Sequence, residues 1–280
     1  MDGFVPRSLN EALELRREHP EAVPVAGGTD LMVALNTWGV ERPRALLDLS
    51  RVDELKRWER ERGVVFVGAG LTFARISQEL GDFVPLAQAA RSVASRQIRN
   101  RATIGGNIAT ASPAGDSLPV LAAYGADVVL AAAGGRERRV VWEEFLLGPK
   151  HTALAPDELI VGVEWAPVPG PASFAKVGRR GAMVISIASA CLQLDTAAHR
   201  VRLALGSVGP TVVRAREAED FAAAGLDWDH PAPGDLDEFG RLAAAETRPI
   251  DDVRGSAAYR RRAVEVLARR TLAWVLEDWC

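Results

Sequence analysis

Two loops built on paired glycines constrain this chain more than any other feature of it. The first, Ala26-Gly27-Gly28-Thr29-Asp30, follows the apolar run Val23-Pro24-Val25. The second, Thr103-Ile104-Gly105-Gly106-Asn107, follows a helix-like stretch that ends in basic residues. Glycine has no Cβ and tolerates positive φ, so each pair lets the backbone come close to something else. Small hydroxyl or amide side chains flank each pair, and loops of this kind present N–H groups to phosphate. Two such loops in one chain suit a ligand with two phosphates, which makes a dinucleotide cofactor the first expectation. Neither loop is followed by Lys-Ser or Lys-Thr, so neither is a Walker A motif and an ATPase is not expected.

The surrounding pattern places each loop at a junction. Ser8-Leu9-Asn10-Glu11 has capping-box spacing and opens a short helix through Ala12, Leu13 and Leu15. Val23 to Ala26 reads as a strand, and Leu31, Met32, Ala34 and Leu35 as a helix, so the first loop joins strand to helix. Ala45 to Leu49 and Gly63 to Gly70 read as strands; Thr72 to Leu80, Leu86 to Arg96 and Asp116 to Tyr124 read as helices, the last closed by Gly125. Asp127 to Ala132 and Glu137 to Trp142 flank Gly134-Gly135 as a hairpin. Leu159 to Trp165 is a further strand, expected to carry Val161, Val163 and Trp165 on one face. Pro167, Pro169, Gly170 and Pro171 form the clearest linker. Beyond it come three strands (Phe174 to Val177, Ile185 to Leu194, Val201 to Ser207), helices over Arg214 to Ala224 and Leu236 to Glu246, and a closing helix over Ser256 to Leu276. In that last helix Val264, Leu267, Ala268, Thr271, Leu272 and Val275 fall on one stripe.

Composition excludes several classes. A net charge of −3 offers no basic field for nucleic acid. Two cysteines, Cys191 and Cys280, and four histidines show no metal-ligand spacing, so any metal in the chemistry belongs to another chain. Cys191 sits in an apolar run and reads as a small buried hydrophobe. The N-terminus shows no export signal, the longest apolar stretches are too short and broken to span a bilayer, and the chain reads as cytoplasmic.

Other residues admit two readings. Gly68-Ala69-Gly70 between strand and helix suggests a Rossmann turn and an NAD-dependent dehydrogenase, but Phe73 stands where a third glycine or alanine is wanted and no acidic residue follows at the required distance. A tight structural turn is the plainer account. Asn107 both donates and accepts, as a contact to a flavin ring or ribose requires. Asp116 is a natural N-cap for the helix that follows, and it is also a carboxylate able to receive ribose hydroxyls. Lys176 is one of only three lysines in a chain rich in arginine.

The residues from Arg99 to Asp116 (RNRATIGGNIATASPAGD), with Ala26 to Leu31, resemble the two flavin loops of the FAD-binding medium subunits of molybdenum hydroxylases, the group of xanthine dehydrogenase and aerobic carbon monoxide dehydrogenase. Leu205 to Thr211 and Arg254 to Arg261 resemble that family's C-terminal signatures, and the similarity runs from about Leu9 to Leu272. The resemblance implies an α+β fold: a two-subdomain FAD-binding domain of the vanillyl-alcohol oxidase type over 1–168, with subdomains about 1–55 and 56–168, then a smaller α+β C-terminal domain over 172–280. It implies noncovalent FAD held by Ala26, Gly27, Gly28, Thr29 and Asp30 and by Thr103, Ile104, Gly105, Gly106 and Asn107. Asp116, as both cap and ligand, and Lys176 are further contacts, and the backbone at Leu159 and Ile160 lies against the flavin. No side chain is assigned as catalytic and none as a metal ligand. The partners implied are a large molybdopterin-binding subunit and a small subunit with [2Fe–2S] clusters, in a dimer of heterotrimers. The chain's role would be electron transfer to NAD, oxygen or another acceptor. A non-catalytic nucleotide-binding assembly module is the other reading. One departure stands out: where several members have Asp-Ile-Ala after the arginine pair, this chain has Met183-Val184-Ile185-Ser186 after Arg179-Arg180.

Overall fold

The structure, a computed structural model, describes residues 2–37 and 42–277. Cys280 lies outside the described residues. The chain forms two compact units. The first comprises Met1–Ile76, Arg96–Ala111 and Ala126–Ala166; the second comprises Ser77–Ser95, Ser112–Gly125 and Pro167–Cys280.

In the first unit a three-stranded parallel sheet has Ala45–Asp48 between Asp2–Phe4 and Ala22–Val25. The helix Leu9–Glu18 starts where its cap dictates: Ser8 Oγ accepts the Glu11 N–H at 3.2 Å, and the Glu11 carboxylate accepts the Arg7 N–H at 2.7 Å. Its apolar face, Ala12 and Leu13, packs with Ala22, Ala45, Leu47, Val52 and Leu55 in one core. That core continues onto a five-stranded sheet in the order Trp58–Glu61, Val64–Gly68, Glu158–Trp165, Asp127–Ala132, Arg136–Val141. Every pairing in this sheet is antiparallel.

An antiparallel sheet contains no parallel βαβ unit, so the Rossmann reading of Gly68-Ala69-Gly70 is overturned. Those glycines serve packing. A Cβ on Gly68 would lie 2.3 Å from the Leu55 carbonyl oxygen, and the Gly70 N–H donates to that same oxygen at 2.8 Å. The expected face of Glu158–Trp165 is also corrected. Leu159 aligns with Ala131 and Gly162 with Val129, which leaves Val161 as an extra bulged residue. Leu159 and Val161 join the core shared by Val129 and Ala131, whereas Val163 aligns with Val128 on the opposite face. Period-two counting cannot see a one-residue bulge.

The second unit is built on a four-stranded antiparallel sheet ordered Ala172–Val177, Ala188–Asp195, Arg200–Gly206, Val213–Arg214. Ala188–Asp195 is buried throughout because helices cover both faces of the sheet. Ala188, Ala190, Leu192 and Leu194 enter a core with the closing helix Ala257–Glu277. On that helix the expected stripe from Val264 to Val275 is buried, while Arg262 and Arg270 are exposed. Each fully buried leucine or valine there contributes ~1.5–3 kcal/mol. The other face meets Ser117–Tyr124, whose eight residues are all buried and whose end is closed by Gly125 at φ +63°. Cys191 is free and buried, as its apolar run implies, and burial pushes its thiol up.

Candidate cofactor site

The two glycine loops lie side by side in the first unit, and a missing side chain is what allows it. A Cβ on Gly27 would sit 2.1 Å from the Arg101 carbonyl oxygen and 2.9 Å from the Ala102 Cα, just upstream of the second loop. Thr110 Oγ1, at the end of the second loop's helix Ile104–Thr110, lies 2.9 Å from Asp30 Oδ2 and 2.8 Å from Gly106 O and shares its one proton between them, a second tie between the loops. Gly28 stands at the N-cap of Thr29–Leu35 with φ +73°, a conformation that costs most residues ~1–2 kcal/mol. No side chain caps this turn, and the N–H groups of Gly27, Gly28, Thr29, Asp30 and Leu31 find no acceptor among the described residues. None of the helix is buried, and Met32 and Val33 are 54% and 68% exposed.

The second loop differs. The Ile104 N–H donates to Leu71 O at 3.0 Å, Gly105 to Ala69 O at 2.8 Å, Gly106 to Thr103 Oγ1 at 3.1 Å and Asn107 to Thr103 O at 3.1 Å. Its donors are spent inside the protein, where the sequence led us to expect them turned outward. Within the pair the glycines divide the work. Gly105 is buried, and its Cβ would lie 2.5 Å from the Ala69 Cβ. Gly106 is exposed, and its Cβ would meet only Thr103 Oγ1, at 3.1 Å. One glycine seats the loop and the other leaves its outer surface bare. Ile160 is 7% exposed on Glu158–Trp165, next to the Val161 bulge.

Asp116 and Lys176 come together in the second unit. Asp116 occupies the N-cap position of Ser117–Tyr124, but its φ and ψ (−69°, −29°) are helical and its side chain makes no capping bond. The expected capping role is therefore corrected: an extended backbone would have aimed the carboxylate at the helix, and this one aims it elsewhere. Oδ2 accepts from Lys176 Nζ at 2.5 Å and lies 3.1 Å from Ser92 Oγ, whose one proton it shares with Ala89 O at 2.7 Å; Oδ1 accepts from Ser186 Oγ at 2.6 Å. Lys176 Nζ also donates to Ser92 O at 3.0 Å and Val184 O at 3.2 Å, so all three of its protons are engaged.

Comparison with known proteins gives the family of the chain. Residues 1–168 match the model of the FAD binding domain in molybdopterin dehydrogenase, and residues 172–275 match that of the CO dehydrogenase flavoprotein C-terminal domain. The chain belongs to the FAD-binding medium subunits of molybdenum hydroxylases. It is 34% identical over 229 residues to caffeine dehydrogenase subunit beta of Pseudomonas sp. (strain CBB1), covering 79% of this chain and 77% of that one. It is 31% identical over 274 residues to the nicotine 6-hydroxylase medium subunit of Paenarthrobacter nicotinovorans, covering 95% and 94%. Among solved structures, quinoline 2-oxidoreductase from Pseudomonas putida 86 superimposes with a TM-score of 0.90 at 27% identity, over 99% of this chain and 97% of that one. Carbon monoxide dehydrogenase from Hydrogenophaga pseudoflava gives 0.90 at 26%, over 100% and 98%.

This medium subunit is thus an FAD-binding flavoprotein subunit of an oxidoreductase complex, with a FAD-binding domain followed by a C-terminal domain. No helix among the described residues is long and apolar enough to cross a membrane. The residues fit an anionic dinucleotide: the first loop carries a row of N–H donors without partners among the described residues, and the bare glycine face at Gly106 admits close approach. Sequence reasoning missed the Arg101 backbone that Gly27 abuts, and it missed Ser92 and Ser186 around the ion pair. A serine at a helix end or before a strand carries no signal of its own. It also missed why the C-terminal signatures occur. Arg260 is 3% exposed and donates to Ile187 O at 2.6 Å and Ser207 O at 2.9 Å, while Ser207 Oγ donates to Ser186 O at 3.0 Å.

Proposed function

We propose that this medium subunit carries electrons from the [2Fe–2S] clusters of a small partner subunit to an acceptor such as NAD or oxygen. In this reading a large molybdopterin-binding subunit oxidises the substrate, and the assembly is a dimer of heterotrimers. FAD, when bound, supplies the redox chemistry, and the protein's part is to bind and orient it. The two domains span 1–168 and 172–280, the first of the vanillyl-alcohol oxidase type with subdomains about 1–55 and 56–168. The residue assignment is part of the proposal. Ala26 to Asp30 bind the diphosphate through backbone N–H groups, and Thr103 to Asn107 form the wall beside it. Ile160, Asp116 and Lys176 complete the set of contacts.

The observation that carries this reading is the seating of Gly27 against Arg101. It sets the uncommitted donors of one loop beside the bare surface of the other. The nicotine 6-hydroxylase medium subunit and the alpha subunit of the 6-hydroxypseudooxynicotine dehydrogenase complex, both of Paenarthrobacter nicotinovorans, point to a multi-subunit setting. The test is spectroscopic. Protein saturated with FAD and freed of excess should be yellow with oxidised-flavin bands, bleach with dithionite and regain colour with an acceptor. Failure to retain flavin overturns the cofactor site; retained flavin that resists reduction and reoxidation overturns the electron-carrier role and leaves a binding module.

A further inference from the structure

The Asp116–Lys176 pair has two hydroxyl partners that neither the motifs nor the comparisons assign. Ser186 is wholly buried and gives its hydroxyl proton to Oδ1 at 2.6 Å; Ser92 Oγ lies 3.1 Å from Oδ2 and 2.7 Å from Ala89 O, so its one proton is shared between them. The pair itself lies at the edge of the buried region, with side-chain exposures of 12% for Lys176 and 7% for Asp116. Neutralising a buried carboxylate requires only the ammonium, and the ammonium's other two protons are taken by backbone carbonyls. The hydroxyls add something else. With Ser186 on one oxygen and Lys176 on the other the carboxylate plane is fixed, Lys176 Nζ is fixed with it, and the shared proton of Ser92 adds a weaker restraint.

We propose that Ser186 and Ser92 are positioning residues for the cofactor: they hold the Asp116 carboxylate and the Lys176 ammonium in the orientation in which these groups meet FAD. This rests on the reading above that Asp116 and Lys176 are cofactor contacts. Losing the Ser186 hydroxyl leaves Oδ1 without its donor in a buried place, so the carboxylate turns to recover one. Lys176 Nζ then follows Oδ2, and the charge presented to the flavin shifts. The segment itself is anchored at two backbone carbonyls, Ser186 O by Ser207 Oγ and Val184 O by Lys176 Nζ.

The experiment uses the full-length protein with FAD as the probe. Dissociation constants come from flavin fluorescence titration of apo-protein, and midpoint potentials from equilibrium reduction against a dye. Ser186→Ala should weaken FAD about tenfold and shift the midpoint potential, with Ser92→Ala moving both in the same direction by less. The proposal is overturned if both alanine variants melt at lower temperature as apo-proteins yet keep the wild-type affinity and potential, because the hydroxyls are then structural only. Lys176→Gln and Asp116→Asn separate this failure from that of the contact reading. If they change affinity or potential while the serine variants do not, only the positioning role falls. If none of the four changes either quantity, the contact assignment falls and the positioning role with it. Should Ser186→Ala not fold, Ser92→Ala alone decides by the same readouts.

Discussion

Replacing Gly105 or Gly106 by alanine adds the same methyl group at adjacent positions of one helix, and the two additions meet different surroundings. At Gly105 the new Cβ would lie 2.5 Å from the Ala69 Cβ, 2.7 Å from the Ala69 oxygen and 2.9 Å from the Ala69 Cα. These are backbone and Cβ atoms that cannot swing aside, and the Gly105 N–H to Ala69 O bond of 2.8 Å pins the same contact. Overpacking of this kind costs ~1–3 kcal/mol. Three contacts under 3.0 Å place Gly105 in the upper part of that range, and alanine gains at most ~1 kcal/mol over glycine inside a helix, so Gly105→Ala should be destabilised by about 1–2 kcal/mol. At roughly 2–4 °C per kcal/mol for a chain of this size, its apo melting temperature should fall by several degrees. At Gly106 the new Cβ meets only Thr103 Oγ1 at 3.1 Å, and the position is exposed. Loosening the Thr103 cap is worth ~1 kcal/mol, which the helix propensity of alanine offsets. Gly106→Ala should therefore melt within a few degrees of wild type. Its methyl group stands on the surface we assign to the diphosphate, so FAD affinity should fall at least tenfold, ~1.4 kcal/mol, and Gly106→Leu should abolish binding. Apo differential scanning fluorimetry and FAD titration read the two effects separately. A Gly106→Leu protein that fills with FAD at wild-type affinity refutes the loop assignment. A Gly105→Ala protein as stable as wild type refutes the packing argument.

Two further outcomes follow from buried groups. Arg138 grips Glu158 through both carboxylate oxygens, at 2.6 and 2.8 Å, and the Ala155 N–H adds a third bond; the arginine hydrogen bond, chiefly, holds the Glu158 carboxyl below its ordinary range. A lowered folded-state pKa means that this stabilisation is complete above the ordinary glutamate value of ~4.3 and is lost as pH falls through the folded value. Glu158→Gln should lower the urea midpoint at pH 7, and its deficit should shrink towards pH 3; a deficit constant with pH rejects the linkage. Cys191 is fully buried with its thiol pushed up, so in a Cys280→Ser background native protein should not react with a thiol reagent until denaturant unfolds it. Rapid native labelling would show that the core around Ala188–Asp195 opens.

What the sequence disclosed follows from which signals are local. The capping box at Ser8, the glycine-flanked hairpin and the stripe of the closing helix depend on neighbours within a turn or two, and the structure carries each of them. The bulge at Val161 escaped because it is defined by the register of Asp127–Ala132, not by anything in Glu158–Trp165. The glycine loops lie between these cases. Their composition announced close approach, but not what is approached. Gly27 and Gly105 turn out to meet protein, Arg101 and Ala69, while Gly28 supplies a left-handed φ and Gly106 an open face. Four residues of one type thus do three jobs, and only the contacts separate them.

Asp116 shows the same limit most sharply. A residue before Ser-Leu-Pro at a helix start is the ordinary place for a cap, and local reasoning favours that role. The cap was lost because three groups far away in sequence compete for the carboxylate: Lys176, Ser186 and Ser92. A charge-assisted bond to a buried ammonium is roughly twice as strong as a neutral one, so the backbone adopts helical angles at Asp116 and forgoes the capping bond. The helix Ser117–Tyr124 is itself buried along its whole length. The same competition tells which substitutions separate the roles. Asp116→Asn keeps the size and the capping capacity while removing the charge. If the cap were the working bond, asparagine would serve as well as aspartate. On the geometry found here it should instead leave the Lys176 ammonium buried without its anion and lower the apo melting temperature, by an amount that breaking a buried pair sets at ~3–5 kcal/mol. An Asp116→Asn protein as stable as wild type would remove the ion pair from the account of this fold's stability.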